Sequence, residues 1–306
     1  MPNWVANILE IRAEGAKLHE ILNAIKHDDG ILGSVDFNKL IPMPKDLDLT
    51  EGSITDESIE AFLSTLVTNM QKAVVLSDMD RKTISDYCHA ASRVFGRSFF
   101  QTKPNIHLSE KDITARAEKH DMSVDEFLSL GKKYLDNQIM HGAPTWYHWC
   151  IENWGTKWNL GATDCELVNN QTLSFSTAWS YPQPVIEALS RKFPEVEFAI
   201  QWADEDLGNN VGTATYKGGD IVDEYVPEPY SKEAYELAFE IESAEPEDFS
   251  MTYDVSSGTY VYSEELESEE VYEEVPDLDN KLAAAKNQIL LETRCDTSTP
   301  DKDPER

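Results

Sequence analysis

Basic residues are scarce in this sequence: 26 Lys and Arg stand against 57 Asp and Glu, a formal net charge of −31. A surface with that excess repels phosphate backbones and anionic bilayers, so neither direct nucleic-acid binding nor membrane binding is expected. It attracts basic partners, or it only keeps the chain in solution, and composition leaves both readings open. Cysteine is also sparse. Cys88, Cys150, Cys165 and Cys295 form no CxxC pair, and 306 residues make no small disulfide scaffold, so reduced thiols in a cytoplasmic protein are expected. No apolar run approaches the roughly 20 residues of a membrane helix. The opening MPNWVANILEIRAEG lacks a basic region followed by an apolar one, which predicts no signal peptide. There is no GxSxG, no P-loop and no HExxH. The seven histidines are scattered, and His148 and Cys150 do not share a helical face. The cysteine spacing suits no iron–sulfur cluster. No catalytic residue, metal or cofactor is assigned from the sequence.

What is present is a core: 41% of residues are apolar, and they are ordered in alternating periods. Residues 3–12, NWVANILEIR, put Trp4, Ala6 and Ile8 on one side and Val5, Asn7, Leu9 and Ile11 on the other, as in a strand. AKLHEILNAIK follows with helical spacing, and SVDFNKLIP, residues 34–42, reads as a second strand. Residues 45–143 change to helical periods. A capping signal is read at Thr55-Asp56-Glu57-Ser58, another at Ser123 with Glu126, and a further short helix has Pro144 in its first turn. The strand period returns at 172–179. A helix with Val185, Ile186, Leu189 and Phe193 inward follows, then the strand VEFAIQWAD, then a hairpin turning at Lys217-Gly218-Gly219. The order β-α-β, helical insertion, β-α-β predicts an α+β protein with a ferredoxin-like antiparallel sheet and helices on one face. The expected division is a core of 1–44 plus 144–230, a helical insertion at 45–143, and an acidic, partly disordered C-terminal extension at 231–306.

Three stretches are candidates for function. NWGTKWN, residues 153–159, places Gly155 just past a helix end and flanks a tight corner with Trp154 and Trp158. A structural corner is the leading reading, in which Trp158→Ala costs about 3–5 kcal/mol and Lys157→Ala much less. The competing reading is a ligand platform in which Lys157 meets an anion. In ADEDLG, Asp204 and Asp206 either converge on a cation or cap a turn. Phe175, Trp179, Phe198 and Trp202 are read as core, since the surrounding charge does not suit RNA. The third stretch, 221–280, holds 20 acidic residues and Lys232 as its one basic residue, with tyrosines interleaved. Purely solvating segments are poor in aromatics. Glu264, Glu265, Glu267, Glu269 and Glu270 with Tyr260, Tyr262 and Tyr272 are therefore the expected partner-binding residues.

The motifs MPNWVANILEI, FNKLIPMP, NWGTKWN, LSFSTAWSYPQPVIEALSRKFP and WADEDLGNNVGTATYKGG together resemble the YubB and Api-type proteins of plasmids and phages, over roughly 1–44 and 144–240. The resemblance places Asn3, Trp4, Trp154, Gly155, Lys157, Trp158, Asn159, Ala178, Trp179, Asp204 and Asp206 on motif positions. It implies a ferredoxin-like domain and a setting in a bacterial host cell, with no catalytic residues to carry over. The expectation is a non-enzymatic accessory protein that binds a basic host protein and inhibits a defence system through an acidic, DNA-mimicking surface. The alternative is a small-ligand or metal-binding enzyme built on the Trp154–Trp158 corner and the Asp204–Asp206 carboxylates.

Overall fold

The computed structural model describes residues 2–72, 77–96 and 107–263. Strand β1 (Trp4–Ile11) is central in a six-stranded antiparallel sheet. It is followed by helix α1 (Gly15–Ile25), which buries Leu18, Ile21, Leu22 and Ile25 at steps of three and four. The insertion comprises α2 (Ser53–Lys72), α3 (Asp78–Val94), α4 (Glu110–Lys119) and α5 (Val124–His141), and a short α6 (Trp146–Trp154) returns the chain to the sheet. Strands β2 (Cys165–Leu167) and β3 (Thr172–Ala178), helix α7 (Gln183–Lys192), and strands β4 (Glu197–Asp204), β5 (Gly212–Lys217) and β6 (Asp220–Tyr225) complete it. Helix α8 (Lys232–Glu242) and a small hairpin, β7 (Met251–Asp254) with β8 (Thr259–Tyr262), close the described chain.

The sheet order is β2-β3-β1-β4-β5-β6. Strands β3 and β4, joined by α7, lie on either side of β1, with Phe175 opposite Asn7 and Trp202 opposite the same residue. This split β-α-β arrangement, with β2 outside β3, is a ferredoxin-like α+β fold. Alternation decides the two faces. Val5, Leu9 and Ile11 point with Phe198, Ile200 and Trp202 into the main core beneath α1 and α7. Asn7 joins them, and its amide nitrogen donates to the Val5 carbonyl and the Thr177 hydroxyl, both at 2.8 Å. Ala6 and Ile8 face the other way, against the cluster that α8 builds with Ala203, Leu207 and Val211. Helices therefore cover both faces, with α1 and α7 on one and α8 on the other.

SVDFNKLIP is not a strand. Its backbone groups are taken by side chains: Asp36 accepts from Asn38 N at 3.0 Å, Asn159 accepts from Phe37 N at 2.8 Å, and Asn38 accepts from Met43 N at 3.0 Å. Such local bonds compete with a sheet ladder, and Phe37–Lys39 forms a 3-10 turn instead. The second strand of the fold is the three-residue β2, paired with β3. Helix α2 begins at Ser53, two residues before the expected signal, so Thr55 lies inside it. Helix α6 begins after Pro144, with Thr145 at its N-cap. In the insertion, Ser77, Ser109 and Ser123 each cap a helix reciprocally with Asp80, Asp112 and Glu126. Helix α5 crosses α2 so closely that a Cβ on Gly131 would lie 2.0 Å from the Ser58 carbonyl oxygen. None of the described helices is long and apolar enough to cross a membrane.

Candidate functional site

The NWGTKWN corner is built from the end of α6. Gly155, with φ of 77°, reverses the chain there, and its N–H closes the last turn onto the Ile151 carbonyl. Trp154 points inward. It is 2% exposed, packs edge-on against Phe37 and Trp149, and donates its indole N–H to the Ile41 carbonyl at 2.9 Å. The Thr156 hydroxyl donates to the Ala178 carbonyl at 2.8 Å and accepts from the Ala178 N–H at 3.0 Å, which pins the corner to the end of β3. Asn159 donates to Asp36 at 2.7 Å and holds the 3-10 turn described above. Trp154, Thr156 and Asn159 are therefore structural.

Trp158 is not. It stands 37% exposed, with its ring 6.0 Å from that of Trp4, itself 43% exposed. The expectation of a buried Trp158 fails because the chain reverses at Gly155, so that residues four apart leave the corner on opposite sides. The Lys157 ammonium lies 4.3 Å from the Trp158 ring centroid, 5.1 Å from Trp179 and 5.4 Å from Tyr147. Three aromatic faces thus surround one cation, an arrangement favoured by ring quadrupoles. Trp179 is half-buried, not a core residue, and takes a positive φ of 74°. That region is strained for a bulky side chain. The backbone there is held by the Trp179 N–H donating to the Asn3 carbonyl at 2.9 Å and by Asn210 donating to the Trp179 carbonyl at 3.1 Å. Tyr147 was not singled out from the sequence. Its signal was its position on α6, off the face that buries Trp149, Cys150 and Trp154.

Asp204 and Asp206 do not converge. Asp204 is buried, and its two oxygens accept from Asn3 at 3.1 Å, Asn210 at 3.0 Å and the Asp206 N–H at 2.9 Å. An oxygen facing amide donors is turned away from cation coordination. Asp206 is exposed and accepts from Asn209 at 3.0 Å and the Tyr230 hydroxyl at 2.9 Å. Asp204 clamps the end of β4 to the start of β1 and, through Asn210, to Trp179. Among the described residues no group of three or more His, Cys, Asp or Glu side chains is placed to hold a metal ion.

The third candidate stretch builds the second face of the sheet. Helix α8 is capped by Ser231, whose hydroxyl accepts from Ala234 N at 3.1 Å, and buries Ala234, Tyr235, Ala238, Phe239 and Ile241. Tyr260 packs half-buried on Tyr235, Phe239 and Tyr253, with ring centroids 5.9, 5.1 and 5.4 Å away. It is an intramolecular anchor more than a contact residue. Tyr262 is 68% exposed. Glu264, Glu265, Glu267, Glu269, Glu270 and Tyr272 lie outside the described residues. Glu233, Glu236 and Glu240 face solvent along α8, beside exposed Tyr230 and Tyr253. Lys232 pairs with Glu236 at 3.4 Å and lies 5.7 Å from the Tyr253 ring. At the hairpin turn, the Ser256 hydroxyl and N–H and those of Ser257 hold the Asp254 carboxyl well below the usual range.

Residues 153–256 match a family model described as a ferredoxin-like domain in Api92-like protein, which supports kinship with Api92-like proteins. The matched span contains the corner, β2 to β6, α8 and β7. No curated protein matches the chain. A solved structure, protein api92 from Yersinia pseudotuberculosis, aligns at 12% identity over 75% of this chain and 100% of that one, with a TM-score of 0.33. A likeness that distant positions no individual residue.

Proposed function

We propose that this chain is a non-enzymatic interaction protein that engages a basic surface on another protein through the acidic face of α8 and the β7–β8 hairpin. The observation that carries the reading is the exposure of that face: from 220 to 263 Lys232 is the only basic residue, and Glu233, Glu236 and Glu240 along α8 point outward. The apolar side of the same segment is consumed in packing on β1 and β4, so the carboxylates are held on a fixed framework. Carboxylates so held attract surfaces that otherwise bind phosphates. The resemblance to plasmid and phage proteins makes the proposed partner a host protein with a nucleic-acid-binding face, and the proposed effect the inhibition of a defence system by DNA mimicry.

The test is competition. A partner recovered from host extract is titrated with its own nucleic acid and with this chain at several salt concentrations. Mutual exclusion is expected, with affinity falling as the Debye length shrinks to about 10 Å at 0.1 M salt. Replacing Glu233, Glu236 and Glu240 with glutamine should weaken binding. Simultaneous binding of both, or no loss on that replacement, overturns the reading.

A second reading rests on one observation, the exposed Trp4–Trp158 pair beside Lys157 and the strained Trp179. Tryptophan and tyrosine dominate interface hot spots. The patch is proposed as a contact surface, which replaces the catalytic version of the small-ligand alternative. Loss of partner binding in Trp158→Ala with a melting temperature lowered by no more than about 4 °C would favour it.

A further inference from the structure

Strand β6 is the outer strand of the sheet, and no described strand pairs with its free edge. All six of its residues are exposed. Ile221 is 40% exposed, Val222 56%, Tyr225 48% and the following Val226 57%. Ile221 lies opposite Tyr216 on the main-core side of the sheet, and Tyr225 lies opposite Thr213 on the other, so apolar side chains stand on both faces of the strand. The irregularity between Thr215 and Tyr216 leaves Val222 as the extra residue, after which Asp223, Glu224 and Tyr225 pair in regular register. Sheet edges are blunted by charges, bulges or a proline within the strand; β6 carries three carboxylates and the bulge at Val222, which turn away acidic and neutral strands but not a basic one. Here Pro227 comes only after the strand ends.

The charges on β6 are all of one sign. Asp220, Asp223 and Glu224 have no ion-pair partner among the described residues. A second copy of this chain added edge to edge would set these carboxylates against their own kind, which disfavours self-pairing. The acidic residues 264–274 of this chain are disfavoured as occupants for the same reason.

We propose that the free edge of β6 takes an extended basic segment of a partner protein as a seventh strand, with lysine or arginine alternating with apolar residues. Main-chain hydrogen bonds would supply the affinity, as in other cases of strand addition. Asp223 and Tyr225 share one face and would receive the basic residues, the tyrosine ring as a cation–π partner, while Ile221 on the other face would receive the apolar ones. Strand β6 packs on β5 beside α7, whereas α8 packs on β1, β4 and the hairpin, so either proposal can fail without the other.

The experiment uses the full chain and a labelled synthetic peptide, acetyl-KVKVKVK-amide, read by fluorescence anisotropy and by amide exchange. Saturable binding is expected, with amides of 220–226 slowed. The same peptide N-methylated on alternate residues along one edge should bind about tenfold or more weakly, through loss of edge hydrogen bonds. In Asp223→Lys/Glu224→Lys protein the preference should pass to the glutamate peptide acetyl-EVEVEVE-amide. Equal binding of plain and N-methylated peptides, protection elsewhere than 220–226, or no binding at all would overturn the proposal. Substitution of Glu233, Glu236 and Glu240 by glutamine should leave peptide binding within about twofold, since these side chains share no packing partner with β6 among the described residues. An effect equal to that of the β6 reversal would refute edge binding and assign the peptide to α8.

Discussion

Replacing Trp154 by alanine should be among the most damaging single changes in the sheet domain. The indole is 2% exposed and packed between Phe37 and Trp149, so its removal leaves a cavity in the main core. Large-to-small changes of this kind cost about 3–5 kcal/mol. The Ile41 carbonyl also loses its donor, which places the cost toward the upper end. Trp154→Phe keeps one six-membered ring but loses the pyrrole portion with its N–H, so about 1–3 kcal/mol is expected. Trp158→Ala removes an exposed ring whose neighbours are Trp4 and Lys157, for about 1 kcal/mol. Urea denaturation followed by far-UV circular dichroism gives the three midpoints without relying on tryptophan emission. The expected order of loss is Trp154→Ala, Trp154→Phe, Trp158→Ala. A Trp158→Ala protein as damaged as Trp154→Ala, or a Trp154→Ala protein within about 1 kcal/mol of the parent, would refute the inward-and-outward division of the corner.

Gly131→Ala should destabilise the helical insertion by about 1–3 kcal/mol, because its Cβ would collide with the α2 backbone at Ser58; amide exchange across α2 and α5 measures it. Asp204→Asn should cost about 1–3 kcal/mol, since one acceptor becomes a donor facing either the Asn3 amide and the Asp206 N–H or the Asn210 amide; thermal unfolding against Asp206→Asn, where the acceptor is exposed, checks it. Burial pushes the Cys150 and Cys165 thiols up to about 12 from an ordinary 9.0, so stability is full below the ordinary value and is lost as pH rises toward about 12. Alkylation at pH 8 should label both only on unfolding, and rapid labelling of either in the native state would contradict their burial.

The alternation of Val196, Phe198, Ile200 and Trp202 was legible as a half-buried strand, because β4 lies beside β1 with one face in the main core. The second strand was misplaced for a local reason. SVDFNKLIP has strand-like apolar content, but Asp36, Asn38 and Asn159 capture its backbone, and Asn159 arrives from more than a hundred residues away. The true β2 is three residues long, too short for a period to be read. The capping boxes at Ser109 and Ser123 are contiguous four-residue patterns. The Ser123 pattern is legible in the sequence because its cap and its partner Glu126 stand three residues apart. The aromatic patch is the opposite case. Trp4, Tyr147, Lys157 and Trp179 come from four segments, and their meeting depends on the turn at Gly155 and on the left-handed backbone at Trp179. No window of sequence contains that geometry.

The tyrosines of the acidic segment separate once their packing is known, and this changes what the composition means. Tyr235 and Tyr260 anchor α8 and the hairpin to each other, so their presence among glutamates reflects a small core and not a binding face. Tyr225, Tyr230, Tyr253 and Tyr262 stay between 42% and 68% exposed, and they sit beside outward carboxylates on β6, α8 and the hairpin. A segment that only solvates the chain has no reason to place large aromatic rings in water at this density. The framework built by the buried tyrosines also fixes the spacing of the charges, and only fixed charges can match a phosphate-binding surface in register. Partner selectivity should therefore fall when that framework is loosened while net charge is unchanged. Phe239→Ala, which removes the ring beneath Tyr235 and Tyr260, is the discriminating variant. If it binds the partner as well as the parent does, long-range attraction suffices and geometric mimicry does not operate.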